Sequence, residues 1–137
     1  MKTVRLTSSY QIELPDDVNE AQERLVASFW RDGQSLALQL SSYIRNDGPQ
    51  IPASVRLQER EASTAVVWTP MTSNIGSDKV PDEAAAFYSE DQTVWLFAYF
   101  VWPHLTVLAT ISGLERDVFD ETSWAMRALR SLRLTVQ

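Results

Sequence analysis

The segment VWLFAYFVWPHLTVLATI, residues 94–111, decides the fold of this chain. Before Pro103, large apolar side chains occupy both odd and even positions, and a similar mixture continues after His104. A strand that is apolar on both sides is typical of the centre of a sheet, with another layer packed on each face. Pro103 and His104 interrupt the run and indicate a turn. The segment therefore predicts a central β-hairpin with most of its aromatic side chains buried.

The composition is that of a folded globular protein. The chain has 137 residues, of which 45% are hydrophobic and 22% are charged, so it is long enough to bury a core as a single domain. Its longest apolar run, residues 94–102, is well short of the roughly 20 residues that a membrane-spanning helix needs. Residues 1–5 lead into polar sequence rather than into the apolar core of a secretory signal. We therefore expect one soluble domain, residues 1–137, without a membrane span and located in the cytoplasm.

The sequence disfavours several classes of function. A formal net charge of -6 opposes binding to phosphate backbones, so no nucleic-acid partner is predicted. The chain has no cysteine and one histidine, His104, interpreted as an exposed turn residue, with a general base as the alternative. The four glycines form neither a phosphate-binding loop nor a dinucleotide fingerprint. We predict no catalytic residue, no metal site and no cofactor.

The N-terminal region predicts strands. Residues 4–14 mix β-branched and polar side chains and predict one strand that Pro15 ends. A turn or one helical turn follows, which residues 19–23 could extend. Period-two alternation over residues 24–30 and 36–41, on either side of Asp-Gly, predicts a hairpin, although a helix competes with its first half.

The middle of the chain predicts a helix, a strand and a loop. Residues 46–49 are rich in turn formers, and Pro52 suits the first turn of a helix over residues 51–62. Residues 64–69 resemble a strand. Residues 70–82 lack any periodicity, so they are interpreted as a mobile loop, with a functional loop as the alternative.

The C-terminal region predicts a second helix. Asp120 is suited to cap its N-terminus, and Glu121 lies in the first turn, where the helix dipole favours anions. The residues at helical spacing that define its buried stripe are Trp124, Ala125, Ala128, Leu129 and Leu132.

The order of these elements, with a further strand over residues 84–88, predicts the α+β class. Because most connections are hairpins, we expect a mostly antiparallel sheet of about six to seven strands, flanked by helices. The C-terminal helix should pack on this sheet.

The tryptophans are candidates for contact with a ligand or a partner. Trp95 and Trp124 are interpreted as core residues because of their spacing. Trp30 and Trp102 lie next to hairpin turns and are the pair expected to be exposed. Together with His104, they are the candidate contact residues at the hairpin turns.

The order of elements and two short stretches resemble the PsbP-like superfamily. The stretches are the end of the first strand, Leu14, Pro15 and Asp16, and residues 120–124, which are followed by Leu129 and Leu132. That group includes a photosystem II extrinsic protein, a Ran-binding nuclear-transport factor, and bacterial adaptor chaperones for type VI secretion effectors.

The resemblance implies a curved antiparallel sheet flanked by helices and a role in binding another protein. Adaptor chaperones of this kind receive apolar segments on the concave face of the sheet. The residues with suitable chemistry for this use are Leu36, Leu38, Tyr43, Phe97 and Tyr99. Core packing is the alternative interpretation for all of them.

Three hypotheses for function follow. The first is a non-enzymatic bacterial protein-binding module, either an effector adaptor or an immunity-type inhibitor, whose partner is a secretion effector or a toxin. The second is a small-ligand-binding domain or an unrecognised enzyme that uses the sheet face, with residues 70–82 as a lid. The third is a homodimer formed through a sheet edge or through Trp102.

Overall fold

The chain folds into two antiparallel sheets with helices packed against them. A computed structural model describes residues 1–45, 48–76 and 79–135. The elements in these ranges are β1 Lys2–Leu6, β2 Tyr10–Leu14, β3 Asn19–Glu23, β4 Val26–Trp30, β5 Ala37–Tyr43, α1 Ala53–Ser63, β6 Thr69–Pro70, β7 Asp82–Glu90, β8 Thr93–Trp102, β9 Leu105–Leu114, α2 Glu115–Val118, α3 Trp124–Ser131 and β10 Arg133–Leu134. The predicted α+β class with antiparallel strands is confirmed.

The strands divide into a large sheet and a small sheet. The large sheet has the order β3-β4-β5-β9-β8-β7-β6, and the small sheet has the order β1-β2-β10. The small sheet was not predicted as a separate layer, because residues 4–14 gave no sign of a turn in the middle. Thr7 and Ser8 form that turn with φ angles of 54° and 60°, a conformation that these residues rarely adopt.

The predicted central hairpin, β8 and β9, lies in the middle of the large sheet and is covered on both faces. Even-numbered residues of β8, such as Leu96 and Phe100, point to the face that we call the inner face, and odd-numbered residues such as Phe97 and Tyr99 point to the outer face. Period two along the strand produces this division. Phe97 pairs with Thr110 of β9.

The inner face packs into one continuous core with the small sheet and α3. This core includes Phe29 and Phe100 from the large sheet, Ile12 from the small sheet and Leu129 from α3, each at 0% exposure. The helix is tied to β2 because the Glu13 amide donates to the Ser131 hydroxyl at 2.8 Å. Burial of the predicted C-terminal stripe is therefore confirmed.

The outer face is covered by α1 over part of its area. Ala53 and Leu57 of α1 pack with a small second core whose sheet residues include Ala86, Tyr99 and Leu108. The residue preceding α1 is Pro52, which provides no side-chain cap. Instead, the Ala53 amide donates to the Asp82 carboxylate of β7 at 2.9 Å. A strand of the sheet thus caps the helix and holds it in place.

Several element boundaries differ from the prediction. Residues 19–23 form strand β3, which pairs with β4. They do not extend the turn or helical turn that precedes them. Of the strand predicted at residues 64–69, only Thr69 is part of β6. The residues before it connect α1 to the edge of the sheet. The helix α1 agrees with the predicted helix, and part of the turn predicted at residues 46–49 lies outside the described residues.

The C-terminal helix begins three residues later than Asp120 suggests, at Trp124, after α2, which was not predicted. Ser123 is the N-cap, and its hydroxyl accepts from the Met126 amide at 3.1 Å. Asp120 accepts instead from the amide and hydroxyl of Thr122, in the preceding turn. Both residues have capping chemistry, so the sequence does not distinguish them.

The described part of the loop at residues 70–82 is anchored rather than free. Ile75 is 4% exposed and belongs to the inner core. The Ile75 and Gly76 amides donate to the Glu83 carboxylate at 2.8 and 3.1 Å. Within the described ranges, no helix is long and apolar enough to cross a membrane.

Substitution of Ser8 by glycine should stabilise the protein. Ser8 has a φ of 60°, and glycine adopts this conformation without the steric penalty of a Cβ atom. We expect the free energy of unfolding in urea to rise by about 0.5–1 kcal/mol. Ser9, which has a negative φ, is the control, and Ser9→Gly should not stabilise. Equal effects of the two changes would contradict this assignment.

Alkaline pH should destabilise the protein through Tyr10. The Tyr10 side chain is 1% exposed, and burial raises its pKa to about 12, against a hydrogen bond with Ser42 that lowers it. In the unfolded chain, Tyr10 ionises near its ordinary pKa of 10.0. The contribution of Tyr10 to the free energy of unfolding is therefore fully present below that pH and is lost as pH rises towards 12. The loss should be on the order of 2 kcal/mol.

Tyr10→Phe removes this ionisable group, so the free energy of unfolding of this variant should change less than that of the wild type between pH 10.0 and about 12, the interval set by the ordinary and raised pKa values. Urea titrations at several pH values measure the effect. Parallel pH profiles for the two proteins would exclude Tyr10 as the source.

Candidate binding face

The outer face of the large sheet is covered only in part. The helix α1 contacts β7 and β8, and the face towards β3, β4 and β5 is left uncovered. Val26, Trp30 and Tyr43 are 41%, 38% and 40% exposed there. A cleft of about 300 Å³, which we call the outer groove, crosses this region. Its lining residues are Val26, Gln39, Leu40, Ser41, Arg60, Tyr88, Trp95, Phe97, Leu108 and Thr110.

One wall of the outer groove is aromatic. Trp68 packs edge-on against Tyr88 and Phe97, with ring centroids 4.9 and 5.2 Å apart. Tyr88 also lies nearly parallel to Trp95 and Phe97 at 6.4 and 6.2 Å. Strands β7 and β8 pair Tyr88 with Trp95, so the sheet register holds these rings side by side. The positions of Tyr88, Trp95 and Phe97 are fixed because these residues lie on the paired strands β7 and β8.

The floor of the outer groove carries polar side chains. Gln39 of β5 pairs with Thr110 of β9, and Ser41 lies two residues further along β5. Small hydroxyl side chains leave room above the sheet, and they can donate to or accept from a bound chain. The groove therefore combines an apolar wall with a floor that can form hydrogen bonds.

The helix α1 lies next to the aromatic wall and carries two arginines, of which Arg60 lines the groove. The Arg56 guanidinium lies 5.5 Å from the ring centre of Tyr43, and that of Arg60 lies 5.3 Å from the ring centre of Phe97. Arg60 also donates through Nε and Nη2 to the Tyr99 hydroxyl, both at 3.2 Å. Cation–π contacts and these hydrogen bonds fix both side chains against the sheet.

The structure separates the five residues that the family resemblance grouped together. Tyr43, Phe97 and Tyr99 point to the outer face, although Tyr99 is 4% exposed because α1 covers it. Leu36 and Leu38 are 4% and 0% exposed and lie in the inner core. Even-numbered residues of β5 face inward, and Leu36, immediately before the strand, lies in the same core, so neither leucine lines the open face.

The two tryptophans predicted to be exposed also differ. Trp30 is exposed on the outer face, as expected, but Trp102 is 5% exposed on the inner side. The Trp102 indole donates to the Lys79 carbonyl at 3.3 Å. Its position next to a turn suggested exposure, but the parity of β8 directs the side chain inward.

The tip of the central hairpin carries an apolar cleft. It has a volume of about 510 Å³ and is lined by Trp102, the exposed His104 and three prolines, Pro49, Pro81 and Pro103, among others. The sequence had indicated this tip as a contact region. Burial of Trp102 makes its ring part of the cleft wall rather than a projecting anchor.

The hypothesis of a small-ligand site or an enzyme used residues 70–82 as a lid over the sheet face. The described part of the loop at residues 70–82 is fastened to the inner core by Glu83, so it does not form a lid on the outer groove.

A polar cleft of about 440 Å³ lies near the β4–β5 turn, where Arg31 pairs with Asp17 at 2.8 Å. Among residues 1–45, 48–76 and 79–135, no group of three or more histidine or acidic side chains could hold a metal ion.

Sequence reasoning missed the residues that build the groove walls. Arg56 and Arg60 lie within the predicted helix at residues 51–62, but nothing in the sequence shows which way that side of the helix faces. Trp68 was read as part of a strand and Trp95 as a core residue, although both are partly exposed. The signal that was available is the alternation of aromatic residues at positions 95, 97 and 99 of one strand.

Comparisons with known proteins bear on the fold. No family model matches the chain, and no curated protein matches it. Among solved structures, a crystal structure from Bacteroides thetaiotaomicron is similar, with a TM-score of 0.65 and 11% sequence identity. The match covers 99% of this chain and 49% of that one, so the chain spans about half of its length. At this identity, the similarity extends to the fold alone.

Substitution of Asp82 by alanine should loosen α1. The change leaves the Ala53 amide without the carboxylate that accepts from it at 2.9 Å. Loss of such a cap costs about 1 kcal/mol, and backbone amides of α1 should exchange faster in deuterated buffer. Glu90→Ala, on an exposed residue of the same strand, is the control. Unchanged exchange in α1 would show that the cap does not hold the helix.

Proposed function

We propose that this chain is a non-enzymatic protein-binding module that receives an apolar segment of a partner protein in the outer groove. The observation that carries the proposal is the aromatic wall formed by Tyr88, Trp95 and Phe97, which line the groove. Trp68 packs edge-on against Tyr88 and Phe97. All four rings are partly exposed. Aromatic side chains held in a rigid cluster next to an open cleft are typical anchors of protein interfaces.

The polar floor of the groove supports the same proposal. A partner backbone that lies along the groove carries amide and carbonyl groups, which lose hydrogen bonds to water on binding. Gln39, Ser41 and Thr110 offer replacements along the groove. A segment with apolar side chains towards the wall and its backbone towards the floor satisfies both surfaces.

Between the two forms of this hypothesis, the groove favours an adaptor over an immunity-type inhibitor. An adaptor needs a surface for an apolar segment, whereas an inhibitor of a basic active site needs projecting acidic groups. The PsbP-like resemblance, which implies adaptor chaperones for secretion effectors, is in line with this choice. The proposed partner is therefore a secreted effector or toxin that exposes an apolar segment before delivery.

A second candidate function rests on the cleft at the hairpin tip. Its apolar lining and volume of about 510 Å³ are within the range of small-molecule sites. An apolar small molecule is the ligand that this lining would suit. Homodimerisation through the β3 edge is less favoured, because Glu20 and Glu23 are exposed on that strand and like charges oppose edge pairing.

The proposal can be tested by filling the groove. Thr110→Trp places a large ring on the floor of the outer groove without touching the inner core. Peptides selected from a random library on the wild-type protein serve as probes, and their affinities are measured by fluorescence anisotropy. We expect Thr110→Trp to weaken binding at least about tenfold, a loss of about 1.4 kcal/mol.

The matched control is Thr3→Trp, the same substitution at an exposed strand residue of the small sheet. It should bind the peptides as the wild type does. Equal binding by Thr110→Trp would place the peptide site elsewhere. Weakening by Pro103→Gly with no effect of Thr110→Trp would favour the cleft at the hairpin tip.

A further inference from the structure

Arg56 and Arg60 are two cations on α1 next to the outer groove. The chain contains 18 acidic and 12 basic residues, so carboxylates are more abundant than cations. Arg31 and Arg133 are paired with carboxylates. For Arg56 and Arg60, in contrast, the described ranges contain no ion pair.

Both guanidinium groups retain unused hydrogen-bond donors. A guanidinium has five N–H groups, and the two bonds of Arg60 to the Tyr99 hydroxyl leave three. Arg56 has no hydrogen-bond partner in the described ranges, and its Nε is buried. Buried or half-buried donors without acceptors are costly, so both side chains are suited to a ligand that supplies acceptors.

The two arginines line a separate cleft that adjoins the outer groove. The cleft has a volume of about 280 Å³ and is also lined by Tyr43, Glu59, Ser63 and Tyr99. Arg60 lines both the cleft and the outer groove. Glu59 is exposed and forms no ion pair with either arginine. A chain lying in the outer groove would therefore bring its side chains within reach of this cleft.

We propose that Arg56 and Arg60 bind a carboxylate of the partner, so that the segment received is acidic as well as apolar. This inference rests on the proposed function of the outer groove. Planar guanidinium groups match carboxylates with two parallel hydrogen bonds. Their aromatic supports, Tyr43 and Phe97, hold them in place before binding, which lowers the entropic cost of forming those bonds.

Charge favours an acidic segment at this site. Like charges four residues apart on a helix repel, and a carboxylate placed between Arg56 and Arg60 would relieve that repulsion. The chain as a whole carries a net charge of -6, which repels acidic partners at long range. The arginine pair therefore attracts a carboxylate at this one site, whereas the acidic surface around it repels one.

The experiment compares two peptide libraries selected on the wild-type protein, one that contains Asp and Glu and one that lacks both. We expect enrichment from the acidic library alone. The best peptide and its Glu→Gln form are then titrated against wild-type protein, Arg56→Gln and Arg60→Gln. Each arginine variant and the neutral peptide should bind about tenfold more weakly than the wild-type pair.

The losses should not add, because the arginine and the carboxylate form one interaction. Arg5→Gln removes the same charge from an exposed strand residue on the small sheet and should have no effect. Arg60→Gln also removes the bonds to Tyr99, so its thermal unfolding is recorded. Arg56→Gln removes no hydrogen bond seen in the described ranges and tests the inference without that complication.

The possible failures are distinguishable. Equal affinity for acidic and neutral peptides, with sensitivity to Thr110→Trp, would overturn the carboxylate inference and leave the groove function standing. Acidic peptides that depend on Arg56 but not on Thr110 would support the carboxylate site and refute binding in the groove. Absence of enrichment from both libraries would overturn both proposals.

Discussion

Burial of the β8–β9 hairpin on both faces is the constraint on which the rest of the structure depends. Strand β8 has large apolar residues at odd and even positions, and β9 adds apolar residues at its odd positions and Leu108 at an even one, so each face needs a covering layer. The small sheet and α3 cover the inner face with one continuous core. The outer face has the 11 residues of α1 as its cover, a single helix that cannot span seven strands. Incomplete cover of an apolar sheet is the physical origin of the outer groove.

The position of α1 decides which part of the outer face stays open. Asp82 holds the N-terminal end of the helix to β7, and Arg60 holds the last turn to Tyr99 of β8. These two contacts keep the helix over β7 and β8 and away from β4 and β5. The same contacts place the arginines beside the aromatic wall. Fold stability and the chemistry of the groove therefore depend on the same side chains.

The groove combines features that are costly to leave in water. Apolar rings are partly exposed next to two arginines that form no ion pair within the described residues, in a chain whose net charge is -6. Exposed apolar surface and unused donors both lower the stability of the isolated protein. A partner segment that is apolar on one side and acidic on the other would satisfy both at once. The free surface is thus unfavourable in water, and a bound partner would remove that cost.

The sequence by itself determined the local elements: the central hairpin, the hairpin around Gly33, the helix α1 and the buried stripe of α3. These follow from short-range periodicity and from turn chemistry, which act within a few residues. Tertiary structure alone decided the split into two sheets, the inward direction of Leu36, Leu38 and Trp102, and the placement of Arg56 and Arg60 over aromatic rings. Each of these depends on which layer covers which face. That choice is made by contacts between residues distant in the chain, such as Ala53 with Asp82, and no local pattern encodes it.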